Sequence, residues 1–531
     1  MVTPPTHEPA NIELNNEFKR ALDMMEKTDK SVFITGRAGT GKSTLLNYFR
    51  NTTQKKVVVL APTGVAALNV KGQTIHSFFK FKPNVTPERV KRIRFKDDEE
   101  NIYKALDAIV IDEISMVRAD LLDCVDKFLQ LNGPKRGKPF GGLQMIFFGD
   151  LYQLSPVVTS AEKEIFKSVY ETPYFYSAKV FDSLDVEFIE LEKVYRQHDE
   201  RFLNLLNSIR NNSIGDEGVQ LLNQRYMPDF EPSPDDFYVY LTTTNRGAEQ
   251  INAQEVAKLE GNLYTFTAGT EGQFGDEYLP TARELKLKVG AQVMMVNNDS
   301  LGRWVNGSIG KITDIFQDEN KEVIIVAELT DGEEVEITPN TWEVFRFFAE
   351  EGQLQSEVVG RFRQYPLMLA WAVTIHKSQG KTFDKVIIDI GKGTFSFGQV
   401  YVALSRCTTL DGIVLKKPIL KKHIWTDRKV VDFLTKYQYK KAEQAHPLDH
   451  KIEVIKKAIE NETVLEMVYL KPNDEKSKRT VVPKEVGEME YQGKSYLGMR
   501  AFCMKRKDER VFRVDRILEL REKGKEQSYG L

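Results

Sequence analysis

The sequence predicts an α/β chain: two parallel-sheet units, the second interrupted by a small antiparallel barrel, then a separate small α+β module. Three observations carry this. Unbroken apolar runs recur, each closing on a turn or a helix-like segment, as strands covered on both faces do. Between roughly 283 and 362 this gives way to short alternating runs split by Asn-Asn-Asp, Asp-Glu-Asn and Asp-Gly turns. After a basic connector from Lys416 to Lys441, one helical run and several short strands follow, near 450–521.

In order, Ser31-Val-Phe-Ile-Thr precedes a glycine-rich loop, Lys56-Val-Val-Val-Leu-Ala ends at Pro62, Ala108-Ile-Val-Ile at Asp112, and Gln144-Met-Ile-Phe-Phe at Gly149-Asp150. A second set is expected from Val186-Glu-Phe-Ile-Glu-Leu, Phe237-Tyr-Val-Tyr-Leu, Lys385-Val-Ile-Ile-Asp-Ile and Ile413-Val-Leu. The interruption reads Leu285-Lys-Leu-Lys-Val-Gly, Gln292-Val-Met-Met-Val, Gly307-Ser-Ile-Gly-Lys-Ile, Glu322-Val-Ile-Ile-Val and Glu334-Val-Glu-Ile.

At about 150 residues per domain, the 531 residues suggest three or four domains. With 41% hydrophobic and 29% charged residues the chain is not disordered as a whole. Its three cysteines, Cys124, Cys407 and Cys503, are too far apart for a disulfide scaffold or a Cys-rich zinc site and fit a reducing compartment. No apolar stretch is long enough to span a membrane, and the start lacks the layout of a signal peptide, so a soluble cytoplasmic protein is expected. The net charge of −2 hides an asymmetry: residues 411–531 hold 28 Lys and Arg against 20 Asp and Glu, and the rest is acidic. Any nucleic-acid groove must therefore be local, on an acidic body.

Gly36-Arg37-Ala38-Gly39-Thr40-Gly41-Lys42-Ser43, with Thr44 opening a helix-like run, matches the G-x-x-x-x-G-K-[ST] pattern between a strand and a helix. Glycines let backbone N–H groups curl around phosphate oxygens, Lys42 neutralises β/γ charge, and the Ser43 hydroxyl ligates Mg2+. The later Gly380-Lys-Thr has Ile375 where the first glycine should stand and is rejected as a second such loop. Ile109-Val-Ile-Asp112-Glu113 is the matching acidic strand end: Asp112 for Mg2+, Glu113 to polarise an attacking water. Arg196 and Arg406, both in what reads as the second unit, could stabilise charge on a leaving phosphate. Spacing alone does not single them out.

The whole set resembles the PIF-type DNA helicases of superfamily 1B, in the RecD-like branch, over roughly residues 12–435. The motifs are Gly36 to Ser43, Ala61-Pro-Thr-Gly-Val-Ala-Ala with Thr74-Ile-His-Ser-Phe, Ile111-Asp-Glu-Ile-Ser-Met, and Phe140-Gly-Gly-Leu-Gln with Gly149-Asp-Leu-Tyr-Gln-Leu-Ser-Pro. Tyr195-Arg-Gln, Thr242-Thr-Thr-Asn-Arg, Ala372-Val-Thr-Ile-His-Lys-Ser-Gln-Gly and Tyr401-Val-Ala-Leu-Ser-Arg follow in order.

The resemblance implies an ATP- and Mg2+-dependent motor that moves 5′→3′ on single-stranded DNA. It implies two RecA-like parallel-sheet domains, 1–185 and 186–435. A wedge insertion at 79–104 and an SH3-like β-barrel insertion at 283–362 go with them. Gln153 would sense the γ-phosphate, Arg196 and Arg406 would be arginine fingers, and Gln379 and Gly380 would lie near the nucleotide. Thr63, Gly64, His76, Thr243, Asn245, Thr374, His376 and Ser378 would lie along the strand, where short polar side chains suit contacts made and released at each step. Where the branch often carries a glutamine that reads adenine, this chain has Asn15 and Asn16; either could replace it.

Residues 436–531 are expected to hold a linker and a small module similar to WYL domains. The matching features are Met467-Val-Tyr-Leu, Arg479-Thr-Val-Val-Pro, Tyr496-Leu497 and Arg510-Val-Phe-Arg-Val-Asp-Arg-Ile, with Ser495 in place of the namesake tryptophan. Arg479, Arg500, Arg510, Arg513 and Arg516 read equally as a face for single strands or as a solvated surface. His446-Pro-Leu-Asp-His450 reads as linker.

The reading is thus a DNA helicase acting on duplex, forked or G-quadruplex DNA in repair, recombination or telomere-type maintenance. It is expected to be a monomer, prokaryotic in type and nucleoid-associated, with no membrane partner. The alternative is a nucleotide-switched single-strand-binding protein with a ligand-sensing C-terminal module. A switch needs Lys42 but not the motifs around His76, Thr243 and His376.

Overall fold

The computed structural model describes residues 14–94, 100–158, 162–197, 199–351, 353–391, 397–491 and 493–523. The chain divides into two compact units: residues 1–206 with 216–424, and residues 207–215 with 425–531.

The first unit opens on helix α1 (Asn16–Lys27), whose N-cap Asn15 accepts from the backbone N–H of Phe18. Six parallel strands follow: β1 (Ser31–Gly36), β2 (Val57–Ala61), β3 (Gln73–Thr74), β4 (Ala108–Ile111), β5 (Gln144–Phe148) and β6 (Val186–Leu191), in the order β3-β2-β4-β5-β1-β6. The central strands are buried along their whole length. Helices pack over the sheet, and Phe18, Leu45, Phe49, Ile34, Val110 and Ile146 share one core. That explains why these strands read as continuous apolar runs.

Strand β6 corrects the sequence reading, which gave Val186–Leu191 to the second set. It pairs with β1 in register from Ser31 opposite Val186 to Gly36 opposite Leu191. As an edge strand it buries Val186, Phe188, Ile189 and Leu191 while Glu187 and Glu190 stay partly exposed. The order places the carboxyl ends of β4, β5 and β1 side by side, which is where open α/β sheets bind ligands.

Four further parallel strands, Ala372–Thr374, Val239–Thr242, Val386–Asp389 and Ile413–Leu415, form a second sheet in that spatial order. The chain between its first two strands in sequence builds antiparallel structure. A five-stranded sheet is ordered Glu334–Ile337, Val323–Leu329, Ile309–Gln317, Gln292–Met295, Leu367–Leu369. It shares a core, including Leu287, Val293, Ile312, Ile325 and Leu367, with the pair Tyr264–Thr267 and Glu284–Leu287. A long hairpin, Asn340–Glu350 with Gln353–Gln364, pairs in turn with Gly269–Gly272. The antiparallel material therefore starts nearer 264 than 283. Its first strands are half or fully exposed and carry no strong apolar pattern.

Within 79–104, the described residues hold a short turn of helix, Pro87–Arg89, and the helix Ile102–Ala105; residues 95–99 lie outside the description. Phe79 and Tyr103, from the two ends of the segment, stack at 6.0 Å and both meet Phe128 edge-on. The segment is thus a closed excursion from the first sheet's core.

The second unit is a five-stranded antiparallel sheet with helix Leu448–Glu460 against it. The strand order is Asp508–Arg513, Lys494–Cys503, Lys476–Tyr491, Val464–Leu470, Ile517–Lys523. Ile455, Leu465, Val481, Met499 and Ile517 are central to its core. The helix Arg428–Ala445 packs on Ile517–Lys523 and belongs to this unit. The break therefore falls near 424, earlier than the 435 read from sequence.

Candidate active site

The glycine-rich loop leaves β1 at Gly36 and enters helix α2 (Lys42–Thr52) through Gly41, whose φ of +83° is a left-handed conformation that favours glycine. Lys42 Nζ donates to the carbonyl oxygens of Gly36 and Arg37 at 2.7 and 3.0 Å, and Thr40 Oγ1 to Arg37 O at 3.0 Å. Ala38 and Thr40 are buried, while Ser43 and Thr44 are exposed on the first turn of α2. The result is a glycine-rich loop at a helix N-terminus beside a fixed ammonium, an arrangement whose chemistry suits phosphate oxygens.

Asp112 follows β4 directly, and Glu113 has a left-handed φ of +50°. The Glu113 N–H donates to Asp112 Oδ1 at 2.9 Å, which fixes the two carboxylates as a pair. Burial raises both carboxyls above their ordinary range, and Asp112 adds to the rise at Glu113; the Lys42 ammonium opposes both shifts. Beyond β5, Asp150 is buried and accepts from Tyr152 N–H and from Gln153 Nε2, both at 3.1 Å. Gln153 is thereby aimed, and its Oε1 accepts from Gln379 Nε2 at 3.3 Å. Gln379 Nε2 also donates to Glu113 Oε2 at 3.1 Å, so this amide joins the second parallel sheet's loop to the acidic pair.

Both arginines reach the same place. Arg196, just past β6, donates to Ser405 O at 3.2 Å and to Gly380 O at 3.3 Å. Arg406 is 1% exposed and donates to Val402 O, Ser405 Oγ, Ser378 O and Lys381 O. Burial works against the charge of both, and at Arg406 the neighbouring Arg196 adds to it, while Glu113 and Asp150 favour the charged form. Lys42, Asp112, Glu113, Gln153, Arg196, Gln379, Gly380 and Arg406 therefore converge on one place.

The strand-facing candidates divide. Thr63 is exposed at the N-cap of α3 (Gly64–Asn69), Thr74 caps α4 (Ile75–Phe79), and His76 is half-buried on α4. Thr243 is half-buried and Asn245 exposed at the start of the helix Asn245–Lys258; His376 is half-buried in the turn after Thr374. Burial lowers the pKa of both His76 and His376, disfavouring their charged forms, with Asp120 opposing the shift at His76. Gly64 is covered: the backbone at Glu277 and Tyr278 lies so close that a Cβ there would collide. Thr74 Oγ1 and Tyr278 Oη share a hydrogen bond at 3.1 Å, and Tyr278 joins a small core with Ala67, Phe274 and Phe362. Ser378 is fully buried, and its hydroxyl donates to Ile375 O at 2.8 Å. Thr374 is buried and accepts from Lys377 N–H. These two corrections share a cause: Thr374 and Ser378 close the turn that presents His376.

Asn15 spends its amide oxygen on capping α1, and its Nδ2 donates to Tyr195 Oη at 3.3 Å; Asn16 is exposed. In the second unit, Arg500 pairs with Glu485 at 3.5 Å and Arg513 with Asp515 at 2.6 Å, which neutralises part of the basic face.

The model of the PIF1-like helicases matches residues 13–219, and that of the WYL domain residues 450–522. The chain is 31% identical over 476 residues to the ATP-dependent DNA helicase PIF1 of Emericella nidulans, covering 78% of this chain and 62% of that protein. It is 31% identical over 425 residues to the ATP-dependent DNA helicase Pif1 of Bdellovibrio bacteriovorus, covering 77% of this chain and 89% of that protein. The chain belongs to the PIF1-like helicase family. Unliganded Pif1 from a Bacteroides species superposes with a TM-score of 0.72 at 36% identity, covering 80% of this chain and 97% of that one. The same protein bound to single-stranded DNA gives 0.57 at 35% identity, with 82% and 97% covered.

For a PIF1-like helicase, three residues here went unassigned by sequence reasoning although their motifs were legible. Asp150 lies in Gly149-Asp-Leu-Tyr-Gln, Gln197 in Tyr195-Arg-Gln, and Tyr401 in Tyr401-Val-Ala-Leu-Ser-Arg. Gln197 is buried and donates to Ser405 O and Cys407 O at 3.2 and 3.0 Å, beside the contacts of Arg196. Their signal was adjacency to an assigned residue, which says nothing about direction.

Proposed function

We propose that this chain is an ATP-dependent DNA helicase that hydrolyses ATP to ADP and phosphate, translocates 5′→3′ on single-stranded DNA and separates duplex or structured DNA. The observation that carries the reading is the convergence of a phosphate loop, an acidic pair and two arginines where the ends of β1, β4 and β5 meet loops of the second parallel sheet. Family membership supports it. So do the relatives' names and the Bacteroides structure with single-stranded DNA.

In this reading, backbone N–H groups of Gly36, Ala38, Gly39, Thr40 and Gly41 hold the phosphates, with Ser43 and Thr44 at the helix start. Lys42 neutralises their charge. Ser43 and Asp112 ligate Mg2+; a hydroxyl, a carboxylate and phosphate oxygens are the hard donors that ion takes. Glu113 polarises the attacking water. Gln153 senses the terminal phosphate, and Arg196 and Arg406 stabilise charge on it as the two sheets close. Arg406 must exchange some of its carbonyl partners to do so, which makes hydrolysis depend on closure. Thr63, His76, Thr243, Asn245 and His376 contact the strand backbone. Gly64 joins them once the turn Asp276–Tyr278 leaves it, so this conformation is the DNA-free one. The better match to the unliganded Bacteroides protein supports that.

The antiparallel insertion acts as an SH3-like barrel, and residues 79–104 as the wedge that splits the duplex. The protein works as a monomer on forked or G-quadruplex DNA, in a cytoplasmic, nucleoid-associated setting. No described helix is long and apolar enough to cross a membrane.

The test is unwinding of duplexes with a 5′ or a 3′ single-stranded tail, with ATP and Mg2+, by the wild type and Lys42→Ala. Opening of the 5′-tailed duplex alone, and only with Lys42, is expected. Opening of the 3′-tailed duplex would overturn the polarity, and hydrolysis without opening of either would overturn the helicase reading.

A further inference from the structure

The short helix Gln399–Leu404 touches the site at three points. Its N-cap, Gly398, abuts the carbonyl oxygens of Tyr152 and Gln153. Just past its C-terminal end stands Arg406. From its middle, Tyr401 reaches the phosphate loop, where its hydroxyl accepts a hydrogen bond from the backbone N–H of Ala38 at 3.2 Å. Tyr401 is 4% exposed and Ala38 7%. The same loop packs at Gly39 against Arg196, and the helix that carries Tyr401 leads into Arg406.

A buried backbone N–H needs an acceptor. In a loop built to give its N–H groups to phosphate oxygens, one of them is here satisfied by a protein hydroxyl from the opposite sheet. That hydroxyl comes from the helix that leads into Arg406, one of the two arginines assigned to the terminal phosphate. A phosphate oxygen and a phenol oxygen are both acceptors, and one N–H makes one good hydrogen bond.

We propose that Tyr401 is a terminal-phosphate surrogate: its hydroxyl holds the Ala38 N–H in the nucleotide-free protein, and an oxygen of an incoming γ-phosphate displaces it. The inference rests on reading the loop as an ATP site. Displacement removes this tie between the loop and the helix that leads into Arg406, so arrival of the terminal phosphate is coupled to the element that carries that arginine. A nucleoside diphosphate has no oxygen to place there and leaves the bond standing. Tyr401 is thus a positioning residue that distinguishes triphosphate from diphosphate.

The experiment compares full-length wild type with Tyr401→Phe, which keeps the ring and removes the hydroxyl. Tyr401→Met serves as a second variant without it. Equilibrium dissociation constants are measured for ADP and for ATPγS with Mg2+, and hydrogen exchange over residues 37–40 is followed without nucleotide. Removing a competitor worth one neutral hydrogen bond should tighten ATPγS by about two- to ten-fold and leave ADP unchanged. Exchange over residues 37–40 should quicken in both variants. An unchanged ratio of the two constants with unchanged exchange would overturn the proposal. So would weaker ATPγS binding, which would make Tyr401 a ligand of the phosphate rather than its stand-in. If the wild type bound neither nucleotide, the ATP-site reading itself would fall, and the inference with it.

Discussion

Glu113 Oε2 accepts a hydrogen bond from Gln379 Nε2 at 3.1 Å, across 266 positions of sequence. Glu113, for which we propose the role of polarising the attacking water, is thus held by an amide from the second parallel sheet. The same amide touches Gln153, which Asp150 aims. The acid of one sheet and the loop of the other are parts of one hydrogen-bonded set, so the chemistry is sensitive to the approach of the two sheets.

Glu113→Gln should therefore separate binding from chemistry. The amide keeps the size of the side chain and can still meet Gln379, but cannot take a proton. Loss of a general base costs about 10²–10⁴-fold in rate. DNA-stimulated ATP turnover should fall by that order while the ATPγS dissociation constant stays within about three-fold, since binding rests on the loop. Lys42→Ala should lose both. Turnover by Glu113→Gln near the wild-type rate would remove Glu113 from its role.

Arg196→Ala tests the first arginine without the folding risk of Arg406, whose fully buried guanidinium serves four carbonyl or hydroxyl partners. Arg196 is partly exposed and makes two backbone bonds. An arginine finger is worth about 10³–10⁵-fold in turnover. The expected result is a fall of at least about 10³-fold in kcat, with KM for ATP little changed. A rise in KM alone would make Arg196 a binding group rather than a finger.

Tyr278→Phe should raise affinity for single-stranded DNA. The Thr74–Tyr278 hydrogen bond belongs to the arrangement in which Gly64 is covered. Removing it takes about 0.5–1.5 kcal/mol from that arrangement. A two- to ten-fold or so tighter dissociation constant without nucleotide follows, if most molecules start covered. Fluorescence anisotropy with a labelled oligonucleotide reads it directly. Unchanged or weaker binding would mean that the turn Asp276–Tyr278 does not compete with the strand.

Binding of single strands should depend weakly on sequence, and less steeply on salt than in a groove lined by lysine and arginine, because none of the assigned track residues is either. The candidates along the track are hydroxyls, amides, imidazoles and backbone N–H groups, suited to phosphates rather than base edges. For single strands the slope of log K against log salt is about −0.7 per neutralised phosphate. Oligo-dT and mixed sequences of one length should give the same slope within error. A base preference of about ten-fold at fixed salt would point to base contacts that no assigned residue provides.

The sequence alone determined whatever depends on neighbours in the chain. The phosphate loop is legible because glycines with positive φ between a buried strand and a helix leave few other structures open to Gly36–Ser43. Asp112 and Glu113 are legible because an apolar run stops there, and the parallel sheets because strands covered on both faces cannot alternate. The tertiary structure decided what depends on distant pairing. Val186–Leu191 reads equally well as a strand of either sheet, and only its register with Ser31–Gly36 settles which. Lys416 to Lys441 reads as a connector, and only the packing of the helix Arg428–Ala445 on Ile517–Lys523 makes that part of it belong to the second unit. Gly64 and Ser378 have the residue types of a DNA track, yet one is covered by Glu277 and Tyr278 and the other is turned inward onto Ile375. Tyr401 stood in a legible motif, but the direction of its hydroxyl depends on how two sheets meet across 363 positions. Local steric limits act within a few residues and leave a trace in the sequence. Which strand pairs with which, and which side chain fills which acceptor, follow from burial summed over the whole core, and no single segment carries that sum.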